Sequence, residues 1–331
     1  MAVARPLAVT ARIERWPLRQ AFTISRGSKT EATVVVAEIN NGVHSGRGEC
    51  VPYPRYGETP EQALADILAM AETLRRGMGR LELQSAMPAG AARNALDCAF
   101  WDFEAKVAGQ PIASLIGQAA PVPRKTAFTI SLAAPEAMAA KAAEASSRPL
   151  LKVKLGGDGD VERIAAVRSA APASELIVDA NEAWSPQNIE RNLAACAACG
   201  VTLVEQPLPA GQDDLLATIQ RPLAVCADES VHDRQSLGAL RGKYDAINIK
   251  LDKTGGLTEA LAMADAARRS NFRIMVGCMV ATSLSMAPAM LVAQQADVVD
   301  LDGPLLLAHD RPDGLHYDGS IVHPPDAALW G

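Results

Sequence analysis

The sequence predicts an α/β protein built on an eight-stranded (β/α) barrel, with a smaller α+β domain formed by the first third of the chain. Three observations carry this prediction. Eight short apolar runs alternate with amphipathic helical stretches from about Lys125 onward, and their last residues fall 22 to 27 residues apart. That near-constant step is the length of one βα unit. No Gly-rich phosphate loop follows the first run, which speaks against an open dinucleotide-binding sheet, whereas polar residues stand at the ends of several runs, where barrels keep their chemistry.

In the first third, Thr33 to Ile39 is a β-branched apolar run and reads as a strand, while Pro60 to Arg76 and Ala91 to Ala108 have helical apolar spacing, the latter stopped by Gly109. Two turn-rich stretches, Ala21 to Ser28 and Glu49 to Gly57, read as loops of the kind that carry specificity. The eight barrel runs are Thr126 to Ile130, Leu150 to Lys154, Leu176 to Asp179, Leu203 to Glu205, Leu223 to Asp228, Ala246 to Lys250, Arg273 to Gly277 and Val298 to Asp300. Right-handed crossovers leave a barrel as the natural closure. Past Asp302 the chain holds a turn signal at Tyr317 to Ser320 between short apolar runs. The expected division is 1–120 as an α+β domain, 121–305 as the barrel, and 306–331 as a segment returning to the first domain.

Composition narrows the function. With 331 residues the chain can bury a large core, and 38 acidic against 32 basic residues give a net charge of -6. No Lys/Arg-rich run supplies the footprint of a nucleic-acid partner. Arg5, Arg12, Glu14 and Arg15 break up the N-terminus, so no signal peptide is expected, and no stretch reads as a membrane span. Six scattered cysteines suit a reducing compartment, so the expected location is cytoplasmic. Cys196 and Cys199 form a CxxC, but no second Cys or His pair lies near to complete a zinc site, and helix packing explains them better. The five histidines, His44, His232, His309, His316 and His323, lack mutual metal spacing and receive no role.

Five charged residues end five consecutive runs: Lys154, Asp179, Glu205, Asp228 and Lys250. Each alone could be a solvated loop residue, but all five together are hard to explain that way. Three carboxylates from adjacent strands converge on one side of the barrel mouth, a hard-oxygen set suited to Mg²⁺. The two lysines lie four strands apart in a ring of eight, so they face each other across the mouth. A substrate carbon between them has one lysine on each face, which suits removing a proton from one side and returning one on the other. Because a carbon acid beside a carboxylate is weak, a metal must take that carboxylate and stabilise the enediolate. Lys152 sits two residues before Lys154 and points the same way, and a neighbouring cation is expected to favour a neutral Lys154 amine.

Taken in order, Lys152-Val153-Lys154, Asp179-Ala180-Asn181-Glu182, Glu205-Gln206-Pro207, Asp228-Glu229-Ser230 and the run from Lys250 to Gly256 resemble the enolase superfamily, muconate-lactonizing subgroup, and within it the dipeptide epimerases. The resemblance covers nearly the whole chain. It implies a (β/α)7β barrel with a capping domain formed from both chain ends, Mg²⁺ on Asp179, Glu205 and Asp228, and acid/base roles for Lys154 and Lys250. Lys152 would be an electrostatic helper, and Asn181 and Glu229 supporting groups behind the metal. Asp300 and Asp302 correspond to the motif that binds the substrate amino terminus in those epimerases. Arg26 corresponds to the residue that pairs with a glutamate side chain, and Thr129 joins the substrate-binding candidates.

The implied substrate is a small dipeptide, L-Ala-D/L-Glu, and murein-peptide degradation is the implied context. A homo-oligomer is compatible with the sequence. The rival activities are o-succinylbenzoate synthase, N-succinylamino acid racemase and muconate cycloisomerase, whose substrates bring no ammonium to Asp300 and Asp302. A non-catalytic scaffold that kept the fold is the alternative from another class. Cys278, Met279, Thr282 and Ser283 are expected either to shape the pocket wall or to pack the core.

Overall fold

The computed structural model describes residues 6–331. The first domain starts with a long antiparallel pair, β1 (Ala8–Ile24) and β2 (Gly27–Asn40), to which β3 (Ser45–Cys50) is added on the far side of β2. β1 alternates exposed and half-buried residues, the pattern of an edge strand with one wet face, while Ala32 to Ile39 of β2 is almost continuously buried. The stretch from Ala21 to Ser28 is more regular than its turn-rich composition suggests. Phe22 pairs with Lys29 and Ile24 with Gly27, so only Ser25 and Arg26 form the turn. Arg26 therefore rides on the tip of a hairpin.

The helix Ala91–Ala108 packs its backbone against β3. Two glycines permit this: a Cβ on Gly48 would lie 2.1 Å from the Ala95 carbonyl oxygen, and one on Gly46 would lie 2.2 Å from that of Ala99. Gly48→Ala must push helix and strand apart, so we expect a loss of about 1–3 kcal/mol, read as a lower midpoint in urea unfolding. An unchanged midpoint would contradict this packing. The single helix expected over Pro60 to Arg76 is two, Pro60–Ala69 and Ala71–Arg75. At the break Met70 N–H donates to the Ile67 carbonyl, three residues back, instead of the one four back.

The barrel strands are β5 (Phe128–Ile130), β6 (Leu150–Lys154), β7 (Glu175–Asp179), β8 (Val201–Glu205), β9 (Ala224–Ala227), β10 (Ala246–Ile249), β11 (Arg273–Gly277) and β12 (Val298–Asp300), all parallel and in sequence order; the two-residue β4 (Arg124–Lys125) lies outside the barrel. Between β12 and β5 the ring is drawn together by Ala127 N–H donating to the Val299 carbonyl and Leu301 N–H to Thr126 Oγ1, both at 2.8 Å. The first strand begins at Phe128 instead of Thr126. β9 and β10 likewise stop one residue before Asp228 and Lys250. Asp228 N–H donates to Gln206 Oε1, and Lys250 starts the short helix Leu251–Thr254.

Strand alternation stacks the barrel interior in layers. One layer is apolar: Ala127, Leu150, Ile177, Leu203, Cys226, Ala246, Met275 and Val298. Two residues further along each strand stand Thr129, Lys152, Asp179, Glu205, Asp228, Asn248, Gly277 and Asp300. The apolar layer is thus a floor, and the chemistry lies directly on it.

After β12 the chain pairs β13 (Tyr317–Asp318) with β14 (Ile321–Val322), and β14 with β4. The tail then reaches the first domain, where Arg47 donates to the carbonyls of Ala328 and Leu329 and Trp330 Nε1 to that of Cys98. Among the described residues no helix is long and apolar enough to cross a membrane, and all six cysteines are free.

Candidate active site

A cavity of about 480 Å³ lies between the barrel mouth and the first domain. The barrel lines it with Thr129, Lys152, Lys154, Asp228, Lys250, Asp300 and Asp302; Phe22, Arg26, Lys29, Tyr53 and Tyr56 close it from the other side. Lys154 and Lys250 reach it from β6 and from just past β10, four strands apart.

Each carboxylate of the polar layer is matched with an ammonium. Asp179 Oδ2 lies 2.6 Å from Lys154 Nζ and 3.3 Å from Lys152 Nζ, and Glu205 Oε2 lies 2.6 Å from Lys152 Nζ. Asp228 holds Lys250 at 2.6 Å through Oδ2 and Lys253 at 2.5 Å through Oδ1. Burial opposes the Asp179 and Asp228 carboxylates. Lys154 and Lys152 outweigh it at Asp179, and Lys250 and Lys253 at Asp228, so both are held below the usual carboxylate range.

Glu205 is different: burial and the nearby Asp179 push it up to about 7. The Lys152 contact is close but poorly aligned, so Glu205 Oε2 is buried without a hydrogen bond, while Oε1 accepts from Asn248 Nδ2 at 2.7 Å. Burial also works against the Lys152 and Lys250 ammoniums. Asp300, Glu205 and Asp179 reverse this for Lys152, and Asp228 and Glu205 for Lys250; both end well above the usual lysine value. Lys152 is paired with three acids, Asp179, Glu205 and Asp300.

The donor set fits a hard divalent cation. Asp179, Glu205 and Asp228 are all oxygen donors on neighbouring strands, and Glu205 Oε2 is an unsatisfied buried acceptor among acids. Lys152, Lys154, Lys250 and Lys253 neutralise these carboxylates in the structure.

Across the mouth, Asp300 Oδ2 accepts from Lys152 at 2.8 Å, while its Oδ1 is buried without a partner. Asp302 Oδ2 accepts from Thr129 N–H at 2.7 Å, and burial with the neighbouring Asp300 lifts its carboxyl to about 7. Asp302 thus ties the last strand to the first while facing the cavity.

The Mandelate racemase / muconate lactonizing enzyme N-terminal domain family matches residues 7–117, and the Enolase C-terminal domain-like family matches residues 136–328. The chain belongs to the enolase superfamily. It is 46% identical over 312 residues to the L-Ala-D/L-Glu epimerase of Escherichia coli (strain K12), covering 94% of this chain and 97% of that one. It is 44% identical over 300 residues to an N-acetyl-D-glutamate racemase of Pseudoalteromonas sp, covering 90% and 95%.

Among solved structures, an enolase family member from Agrobacterium tumefaciens with homology to dipeptide epimerases, holding sodium and L-Ala-L-Glu, superposes with a TM-score of 0.97 at 56% identity. The match covers 98% of this chain and all of that one. A dipeptide epimerase from Cytophaga hutchinsonii with Mg and D-Ala-L-Val matches with a TM-score of 0.91 at 27% identity, over 97% and 94%.

In this superfamily member two further sequence candidates, Asn181 and Glu229, lie close to the carboxylates. Asn181 has φ 44° and turns its N–H onto Asp179 Oδ1 at 2.9 Å, leaving its own Oδ1 buried and unpartnered. Glu229 accepts from Arg26 Nη2 at 2.7 Å through Oε1 and has a buried, free Oε2; burial and Asp228 raise its pKa. Arg26 is heavily engaged: Nη1 donates to the Asn181 carbonyl and Glu182, Nη2 to Glu229 and the Tyr53 hydroxyl. It clamps the hairpin to the β7 and β9 ends.

Sequence reading left two site residues without a role. Lys253 is buried and donates to Asp228 Oδ1, the Asp228 carbonyl and the Asn248 carbonyl. Its spacing of three from Lys250 was a readable signal, because one helical turn puts both on the same carboxylate. Asn248, two residues before Lys250, could be placed by alternation alone.

Proposed function

We propose that this protein is a magnesium-dependent isomerase that epimerises the glutamate α-carbon of L-Ala-D-Glu and L-Ala-L-Glu. The observation that carries this reading is the pair of lysines, Lys154 and Lys250, reaching one cavity from opposite sides of the barrel with carboxylates on the floor between them. Asp179, Glu205 and Asp228 would hold Mg²⁺, with Asn181 and Glu229 orienting the set. When bound, the ion supplies positive charge that these acids otherwise take from lysines, and it stabilises the negative charge that develops on the substrate carboxylate.

One lysine removes the α-proton and the other returns a proton to the opposite face, which inverts the centre; the roles exchange in the reverse direction. Lys152 stays cationic and adds charge beside Asp179 and Glu205. Asp300 and Asp302 would hold the substrate ammonium, and the free Asp300 Oδ1 supports this because it needs a donor from the cavity. Thr129 sets the position of Asp302 through its N–H. The cap and its aromatic residues exclude water around the reacting carbon.

The nearest second reading is an N-acylglutamate racemase. Two observations favour it: the 44% identical racemase, and the rise of the Asp302 carboxyl to about 7, which lets it donate to an acyl oxygen. Asp302→Asn separates the two. Charge-assisted hydrogen bonds to a buried group contribute about 1.5–3 kcal/mol, so kcat/KM for L-Ala-L-Glu is expected to fall roughly ten- to a hundred-fold. N-acetyl-L-glutamate, a poorer substrate without an ammonium, should lose much less. Equal losses, or a wild-type preference for N-acetyl-L-glutamate, would favour the second reading.

A further inference from the structure

Lys250 stands past the end of its strand, and the residues after it hold it in place. Its carbonyl accepts from the N–H groups of Lys253 and Thr254, and the Leu251 carbonyl from those of Gly255 and Gly256, so residues 250–256 form one bonded turn. The turn also carries Lys253, and both of its ammoniums rest on Asp228. Thr254 ends the short helix and Gly255 caps it, which leaves their carbonyls without a helical partner. Both are taken by Arg93 of the helix Ala91–Ala108: Nη2 donates to the Thr254 carbonyl at 2.7 Å and Nε to that of Gly255 at 3.0 Å.

Arg93 is buried, and all three of its nitrogens donate to backbone carbonyls, Nη1 completing the set with Gln84 and Met87 of the first domain. The same helix continues the grip: Asn94 Nδ2 donates to Asp252 Oδ1 at 2.8 Å, and Asp97 accepts from Thr258 N–H at 2.9 Å. Two glycines make room for it. A Cβ on Gly255 would lie 2.5 Å from Arg93 Nε and one on Gly256 2.4 Å from the Asp97 Cβ, and both residues have positive φ, 73° and 119°. The Gly-Gly pair after the lysine turn is therefore the seat of the cap helix. Lys154, by contrast, lies inside β6, in register with Asp179 of β7, and is fixed by the barrel ladder itself.

We propose that Arg93 is a positioning residue for Lys250, so that the first domain sets the place of one of the two bases and not of the other. The inference rests on the two-base reading above. Arg93 does not line the cavity. It acts through the turn, where its planar fork bridges the two domains as the single ammonium of a lysine cannot. Misplacing a reacting group by about 1 Å can cost about 10²-fold in rate, so a slack turn slows proton transfer at Lys250 while Lys154 keeps its register.

The test follows initial exchange of the α-hydrogen of L-Ala-L-Glu and of L-Ala-D-Glu with D₂O for wild type, Arg93→Met, Arg93→Lys and Lys250→Ala, the last showing which isomer Lys250 serves. For Arg93→Met, exchange of that isomer should fall roughly ten- to a hundred-fold, while exchange of the other stays close to wild type. Arg93→Lys should lose on the same side by a smaller factor, and it decides the matter if thermal unfolding shows that the methionine variant does not fold. Equal losses on both isomers, the mark of a general loosening, or no loss on the Lys250 side would overturn the assignment. Failure of the dipeptide reading shows separately, as no wild-type exchange of either dipeptide. The two enantiomers of N-acetylglutamate then replace them, with the same outcomes deciding.

Discussion

Lys154→Ala and Lys250→Ala are each expected to stop epimerisation of L-Ala-Glu, lowering kcat by about 10²–10⁴ or more, the usual contribution of a positioned acid or base. The loss should be asymmetric. The two lysines reach the cavity from opposite sides, so each variant retains one intact base facing one epimer only. Lys154→Ala should still exchange the α-hydrogen of one isomer with D₂O, and Lys250→Ala that of the other, with neither forming the opposite epimer. Loss of charge also frees a carboxylate, Asp179 in one case and Asp228 in the other. Thermal unfolding of each variant checks that the barrel persists. A variant that epimerises at the wild-type rate, or two variants exchanging the same isomer, would contradict the two-base assignment.

Asp228→Asn and metal removal should have effects of similar size. Activity should vanish in excess EDTA and return with Mg²⁺, because the barrel acids alone offer nothing to neutralise charge developing on the substrate carboxylate. The folded state should survive EDTA, since Asp179, Glu205 and Asp228 each have a lysine within 2.6 Å. Asp228 carries the heaviest load of the three. It pairs with Lys250 and Lys253, both buried, so the amide leaves two ammoniums short of an anion. Breaking a buried pair by removing one partner typically costs about 3–5 kcal/mol, which predicts lower stability together with lost turnover. Mg²⁺ titration followed by calorimetry should show weaker binding for Asp228→Asn than for wild type. Full activity in EDTA, or wild-type Mg²⁺ affinity in the variant, would contradict the proposed ligand set.

Much of this site was legible because strand alternation is a strict rule. Once Leu150, Ile177, Leu203 and Val298 are seen as inward-facing, Lys152, Asp179, Glu205 and Asp300 must share the layer above them. The readings that shifted depend on hydrogen bonds made by loops. Asp228 and Lys250 stand one residue past their strands because a glutamine side chain and a short helix take over the ladder there. The break at Met70 is a local change of bonding that apolar spacing does not register.

The pairing of Lys152 with acids from three other strands was not legible from its spacing to Lys154, because those acids are far away in sequence. That Arg26 donates to four acceptors at once could not be read from its place in a turn-rich stretch.

Incubating the wild-type protein with Mg²⁺ and L-Ala-L-Glu in D₂O, and following the glutamate α-position by mass and by chirality, tests the central claim most directly. Two-base epimerisation predicts that L-Ala-D-Glu appears with one solvent deuterium on that carbon, and that EDTA abolishes both product and exchange. Formation of L-Ala-D-Glu with its original α-hydrogen retained, or no exchange and no product with Mg²⁺ present, would contradict it.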